Sequence, residues 1–170
     1  QNGEQYSEDL RHHLKVLEDK TDIFDVGKIE TGKKETQEMI TFLHKADIVI
    51  LLIDQHLINH PFYREEITAH LLKNEDVLLV YPILMQNCVH HYDTYLKNRV
   101  LWPKQDTKSI LGISKAKRAD IYTKVVRDIA ERLPNLDAIE SVISKEKKST
   151  LKKKIVIIFF ITLCLSLIHI

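Results

Sequence analysis

The stretch that decides the fold is IVILLIDQHLINHPFYREE, residues 48–66. Its first six residues form an apolar run rich in isoleucine, long enough for a strand buried on both faces and too short for a typical helix. Asp54 ends this strand, and Pro61 suits the first turn of a new helix. That helix brings Phe62 and Glu66, four residues apart, onto one face. We therefore expect an aromatic ring and a carboxylate just beyond the C-terminal end of a parallel strand, where open α/β sheets bind their ligands.

Helices and strands alternate on both sides of this stretch. Amphipathic periodicity predicts the helices, and short apolar runs predict the strands. The predicted helices are Tyr6–Leu17, Thr36–Ala46, one beginning at Pro61, and Tyr122–Leu133, which Pro134 ends; the predicted strands are Thr21–Val26, Ile48–Ile53 and Val77–Tyr81, which Pro82 stops. Residues 83–108 are predicted to be irregular. This alternation predicts an α/β fold, with a mainly parallel central sheet flanked by helices on both faces.

The composition predicts a packed globular domain. The chain has 170 residues, of which 44% are hydrophobic and 29% charged, and this favours a folded core over disorder. A formal net charge of +1 indicates no nucleic-acid partner. Cys88 and Cys164 stand far apart, which suits neither a disulfide framework nor a metal site. Cys88 lies near His90 and His91, but a metal site would need a fourth ligand, so we predict a polar loop and no metal there.

The C-terminal part of the chain differs in kind from the rest. We divide the chain into a domain at residues 1–134, a charged linker at 135–154 and an apolar segment at 155–170. A membrane-spanning helix needs roughly 20 apolar residues, and the lysines before this segment predict that the domain stays on the cytoplasmic side. We expect a single-pass membrane anchor, with a buried C-terminal helix as the alternative. Residues 165–170 resemble the translation of a common transposase-adapter sequence, so we exclude them from fold reasoning.

Four segments, taken in order, carry a family resemblance. They are DIFDVGKIETGKKETQEMI, ADIVILLID, VLLVYPIL and LKNRVLWPKQDTKSI. They resemble, in turn, the second strand with its BB loop, the third strand, the V-I-P-I-I-L segment and the L-P-x-x-x-x-P-I stretch of bacterial TIR (Toll/interleukin-1 receptor) domains. The resemblance covers residues 4–133 and implies a flavodoxin-like fold. The first, central strand of that fold is missing here; we expect it upstream of Gln1, in a gene fragment cut at both ends.

The resemblance also implies an activity and its residues. Many TIR domains carry an aromatic-x-x-x-Glu motif, and here Phe62 and Glu66 stand at those positions. TIR domains of the enzymatic kind cleave the nicotinamide–ribose bond of NAD+, which is a substrate and not a bound cofactor. The resemblance thus implies Glu66 as the catalytic carboxylate and Phe62, Asp54 and Ile29 as substrate-binding residues. The family motif also contains two serines, and both are lost here, the first being replaced by Asp54. Glu65 is the alternative to Glu66 as catalytic carboxylate and faces about 100° away from it around the helix.

A loop with a glycine at each end resembles the family's loop for contacts with partner domains. In the family this loop gates the pocket and mediates contacts between domains, and glycines at both ends let it move. The loop residues here are Gly27, Lys28, Ile29, Glu30, Thr31 and Gly32. We expect association with other TIR domains, although an ordinary solvated loop would have the same pattern.

Three functional interpretations stay open at this point. The first is an NAD+-consuming enzyme at the membrane that becomes active when its domains cluster. The second is a non-enzymatic scaffold for signal transduction, which joins TIR domains through the Gly27–Gly32 loop. The third is a receiver-like or nucleotide-binding α/β domain, for which only Asp54 would serve as the acidic residue at a strand end.

Overall fold

Four parallel strands form one sheet in the spatial order β1-β4-β2-β3. The strands are β1 Thr21–Asp25, β2 Ile48–Ile53, β3 Leu79–Leu84 and β4 Lys153–Ile158. The computed structural model describes residues 2–25, 33–104, 108–143 and 152–158. Within these ranges the predicted α/β fold with a parallel sheet is confirmed.

Helices connect the strands and cover the sheet. The helical elements are α1 Asn2–Leu14, a 3-10 turn at Lys15–Leu17, α2 Lys33–His44, α3 Gln55–Asn59, a π turn at Tyr63–Ile67, α4 Thr68–Lys73 and α5 Lys115–Ile143. Between β3 and α5 the described residues form short 3-10 turns at His90–Tyr92, Leu96–Asn98 and Ile110–Gly112, and Trp102 makes an isolated bridge to Ile83.

Alternate residues of each strand enter two separate cores, one on each face of the sheet. On one face, Ile50 of β2 and Ile157 of β4 pack with buried residues of α1 and α5. On the other face, Val49 and Val156 pack with buried residues of α2, α3 and the π turn. Every residue of β2 is buried, as expected for a central strand covered on both faces. The prediction that helices lie on both faces is therefore confirmed.

The two inner strands of the sheet are β2 and β4, and β4 pairs in parallel with β1 on one side and with β2 on the other. This differs from two expectations: a central strand from upstream of Gln1, and a membrane helix beginning at Ile155. The four residues Ile155–Ile158 are all β-branched and all buried. β-Branched residues suit a strand, and a short apolar run has the same local pattern in a buried strand as in a helix.

Backbone hydrogen bonds hold the start of β4 between its two neighbours. The Lys153 N–H donates to the Lys20 carbonyl oxygen at 3.0 Å. The Lys154 N–H donates to Oδ2 of Asp47 at 2.7 Å, and the Asp47 N–H donates to the Lys154 carbonyl oxygen at 3.0 Å. Both loops that precede β1 and β2 therefore fix the register of β4.

The described ranges contain no helix long and apolar enough to cross a membrane. Residues 159–170 of the predicted anchor lie outside the described residues. Of the predicted anchor, the structure therefore describes only Ile155–Ile158, and these four residues are in the sheet.

Pro82 lies inside β3 and does not stop it, contrary to the prediction. The Trp102 N–H donates to the Pro82 carbonyl oxygen at 2.8 Å, and the Leu84 N–H donates to the Trp102 carbonyl oxygen at 2.9 Å. Since the nitrogen and the carbonyl of one strand residue point to the same side, the Pro82 nitrogen faces this outer edge and not β2. Proline is tolerated in such a position because no ladder bond to the neighbouring strand is lost.

Helix α5 continues beyond Pro134, where the sequence predicts its end, to Ile143. A proline inside a helix removes one backbone hydrogen bond and costs about 3 kcal/mol. The buried side chains of Tyr122, Val125 and Ile129 anchor the first half of α5 in the core, and the segment after the proline contains good helix formers such as alanine, leucine and glutamate. The predicted linker at residues 135–154 therefore begins as helix and ends as the start of β4.

Candidate functional site

Asp54 caps the helix that leaves the C-terminal end of β2. Its backbone is extended, with φ −139° and ψ −177°, and its Oδ1 accepts the Leu57 N–H at 2.8 Å. Aspartate is a preferred N-cap because its carboxylate satisfies an N–H that the helix leaves unpaired, a contact worth about 1 kcal/mol. This contact explains Asp54 structurally, and its predicted role toward a substrate stays a prediction.

A break at His60 and Pro61 separates α3 from the next helix. His60 is extended, with ψ 124°, because the residue before a proline is disfavoured in the helical conformation. Pro61 then stands in the first turn of the new helix, as predicted from its missing N–H. The Phe62 N–H donates to Nδ1 of His60 at 3.2 Å, which ties the two helices at the break.

The helix that follows Pro61 widens into the π turn at Tyr63–Ile67. The N–H and the hydroxyl of Thr68 both donate to the Tyr63 carbonyl oxygen, the hydroxyl at 2.9 Å. Single π turns insert an extra residue into a helix and are frequent at functional sites. This one carries Arg64, Glu65 and Glu66 in succession, and all three side chains are exposed.

Phe62 and Glu66 differ in their surroundings. Phe62 is half-buried against the core cluster that includes Tyr63, so part of its ring serves packing. Glu66 is exposed and, among the described residues, has no hydrogen bond or ion pair. The predicted pair therefore lies where the sequence places it, on the helix after β2, with its carboxylate in solvent.

An open cleft of about 620 Å³ lies beside the π turn. Its walls are formed by the chain segments that come after β2 and β3. Such segments start at the C-terminal edge of the sheet, where parallel sheets bind ligands. One wall includes Asn59, Arg64 and Glu65, and the other includes Val89, Tyr92 and Asp93. The structure thus brings the Glu65 carboxylate, the neighbouring alternative to Glu66, into a concave site.

Asp93 fixes the far wall of this cleft. Its Oδ1 accepts the backbone N–H groups of Tyr95 at 2.9 Å and Leu96 at 2.8 Å, and the Tyr63 hydroxyl at 3.2 Å. Burial, followed by the charge of Asp93, raises the pKa of Tyr63 well above its ordinary value, so this hydroxyl keeps its proton and stays a donor. The loop after β3 is therefore tied to the buried base of the π turn.

The predicted site residues come together only in part. Glu66 and Phe62 share the π-turn helix, but neither is among the residues that line the cleft, whereas Glu65 is. Asp54 lies at the sheet edge as the cap of α3. Ile29 and the rest of the Gly27–Gly32 loop lie outside the described residues, so their predicted roles stay predictions.

The segment with Cys88, His90 and His91 is a loop with a 3-10 turn. The Cys88 sulfur lies 3.9 Å from Nδ1 of His90. Burial raises the pKa of the Cys88 thiol and lowers that of His90, so the thiol keeps its proton and the imidazole stays neutral near pH 7. No group of three or more potential metal ligands is found in the described part of the chain.

Sequence reasoning did not identify the residues of the far wall. Val89, Tyr92 and Asp93 fall in the region that we predict to be irregular. The one local signal was Asp93 itself, since aspartate side chains accept backbone N–H groups two and three residues further on in turns, as Asp93 does from Tyr95 and Leu96. That signal indicates a turn but not a ligand site, because the opposite wall comes from a segment about 30 residues earlier.

The comparisons with known proteins identify no relative: no protein-family model matches the chain, and neither a curated protein nor a solved structure matches it significantly. The fold and the site define an α/β protein with a parallel sheet and a polar cleft at the C-terminal edge of that sheet.

Proposed function

We propose that this chain is a TIR-like domain that cleaves the nicotinamide–ribose bond of NAD+, with Glu66 as its catalytic carboxylate. The observation that carries the proposal is the place of Glu66, an exposed carboxylate on a π turn that follows a central strand of a parallel sheet. The strand order also supports it. In a flavodoxin-like sheet the central first strand lies between the second and the third, and here β4 occupies that central place between β1 and β2.

The chemistry of this reaction suits one carboxylate as the main catalytic group. Nicotinamide leaves NAD+ as a neutral molecule from a cationic ring, so the departure needs no proton from a general acid, unlike ordinary glycoside hydrolysis, which uses two carboxylates. The remaining task is to stabilise the oxocarbenium-like ribose until water adds to it and releases a proton to solvent, and a fixed negative charge does this electrostatically. Glu66 would face the ribose, and the accessible part of Phe62, with Asp54 and Ile29, would border the substrate.

Membrane attachment is a separate part of the proposal. We infer that the apolar segment at residues 155–170, the predicted anchor, tethers the domain to a membrane, with the domain itself on the cytoplasmic side. Ile155–Ile158 pair with β1 and β2 in the structure, so they would have to leave the sheet for this segment to span a bilayer as a helix.

A second candidate function is a non-enzymatic scaffold that joins TIR domains. The specific observation in its favour concerns the contacts of the two residues that replace the motif serines. Asp54, at the first position, caps α3, and His60, at the second, accepts the Phe62 N–H at the helix break. Both replacements thus have structural roles. In this candidate the Gly27–Gly32 loop provides the contact between domains.

The deciding experiment is NAD+ loss over time by the full chain, captured densely on beads so that the domains cluster. We expect nicotinamide release that falls roughly 10²- to 10³-fold in Glu66→Gln, since a preorganised charge at the reacting centre is lost. Glu131→Gln is the matched control, because Glu131 is also an exposed helical glutamate, on α5. If the folded, clustered chain releases no nicotinamide, the enzyme proposal fails and the scaffold candidate stands.

A further inference from the structure

The cleft beside the π turn has the size and place of a small-molecule site. Its volume of about 620 Å³ lies within the range of roughly 300–1,000 Å³ that is typical of such sites. It opens at the C-terminal edge of the sheet, between the segments that follow β2 and β3. Glu66 is next in the chain to Glu65, which lines this cleft.

The charged groups that line the cleft leave it with a negative balance. Arg64 is the one cation among the lining residues, against the two carboxylates of Glu65 and Asp93. Oδ1 of Asp93 is occupied by three donors, whereas Oδ2 has no donor among the described residues. The lining therefore favours a ligand group that carries positive charge.

An aromatic ring stands exposed on the same wall. Tyr92 is 85% exposed and lies in a 3-10 turn. The Tyr92 N–H donates to the Val89 carbonyl oxygen at 3.1 Å, and this hydrogen bond fixes the backbone of the turn. The Val89 N–H in turn donates to Oε1 of Gln55 at 3.3 Å, which holds this turn to α3. A large exposed ring on a fixed turn is a surface on which a flat ligand can stack.

The face of a tyrosine ring attracts cations, and nearby carboxylates add to that attraction. A flat ring that carries a positive charge satisfies both features of the cleft at once. The neighbouring imidazole of His90 adds no competing positive charge, because burial lowers its pKa and favours its neutral form. Arg64, on the opposite wall, remains available for an anionic group attached to the same ligand.

We propose that this cleft binds a cationic aromatic ring, which stacks on the ring of Tyr92 and lies between the carboxylate of Asp93 on the same wall and that of Glu65 on the opposite wall. Its identification as the pyridinium end of NAD+ rests on the proposed function. In that ligand the pyrophosphate that follows the ring and its ribose meets Arg64. Glu65 and Asp93 thus attract the charged ring from opposite walls of the cleft.

The test compares two small ligands of almost the same shape, 1-methylnicotinamide, which is a cation, and nicotinamide, which is neutral. Binding to the full chain is measured at pH 7.5 by NMR titration. We expect the cation to bind more tightly than the neutral ring, and Glu65→Gln or Tyr92→Leu to weaken its binding by about 3- to 10-fold. Both residues are exposed, so the variants should fold normally, and Glu131→Gln should bind like the wild type.

Equal affinities for the two ligands, or binding of the cation that neither variant weakens, would overturn the proposal. The outcome for the reaction is separate. A chain that binds 1-methylnicotinamide through Glu65 and Tyr92 but releases no nicotinamide from NAD+ keeps the cleft assignment and loses the proposed reaction. A chain that hydrolyses NAD+ with an unchanged KM in both variants keeps the reaction and loses the cleft assignment.

Discussion

Replacing Val156 with alanine tests the central strand β4, the element on which the sheet depends. Val156 is 0% exposed and pairs with Phe24 of β1 and Val49 of β2. Val16→Ala is the matched control, because Val16 is 75% exposed in the 3-10 turn after α1. Both substitutions remove the same two methyl groups, so any difference in stability reports the surroundings of the side chain.

The expected magnitude follows from burial. Two methyl groups are worth roughly 1.6 kcal/mol of transfer free energy, at about 0.8 kcal/mol each. The cavity left between the sheet and its helices adds to this, so Val156→Ala should lower the free energy of unfolding by about 2–3 kcal/mol. That is a large part of the roughly 5–15 kcal/mol typical of a domain. Val16→Ala should change it by less than about 0.5 kcal/mol.

The assay is urea unfolding of the full chain followed by circular dichroism. With a slope of about 2 kcal/mol per molar urea, Val156→Ala should shift the midpoint downward by roughly 1–1.5 M, and Val16→Ala should leave it almost unchanged. If both variants unfold at the wild-type midpoint, Val156 is not in the sheet. β4 would then be wrong, and Ile155–Ile158 would be available for either predicted C-terminal element, the membrane anchor or the buried helix.

Two further predictions concern stability. Tyr81→Phe removes the hydroxyl that donates to Oδ2 of Asp128 at 2.7 Å, so we expect a loss of about 1–1.5 kcal/mol in urea unfolding; an unchanged midpoint would show that the contact between β3 and α5 is dispensable. His70, whose ring stacks on His44 with centroids 4.8 Å apart, has its pKa lowered below the ordinary value of 6.5, first by burial and then by His44 and Lys73. The unfolded chain therefore binds this proton more readily than the folded chain, and the stability that neutral His70 contributes is lost as the pH falls below about 6.5. Urea midpoints measured at pH 7.5 and pH 5.5 should differ less in His70→Gln than in the wild type, and an identical difference would exclude His70 as a cause.

Much of the candidate site could be predicted from local sequence. The acidic residue after β2, the break before Pro61 and the exposed glutamates on the next helix each depend on neighbours within a few residues. The far wall of the cleft could not be predicted this way. Asp93 meets the Tyr63 hydroxyl, 30 residues away in the chain, and no local pattern encodes that pairing. The π turn was also beyond prediction, because helical periodicity does not signal a single inserted residue.

The sequence by itself determined which segments are apolar, which are amphipathic and where β2 begins and ends. The six-residue run Ile48–Ile53 is too short for a typical helix and so predicts a strand covered on both faces, and the structure has those same bounds. Only the tertiary structure decided the place of Lys153–Ile158, whose partners in β1 and β2 lie more than 100 residues earlier. An apolar run indicates only that its side chains are buried away from water. Whether they are buried in a sheet or in a bilayer depends on the hydrogen-bond partners of the backbone, and those are set by the rest of the fold.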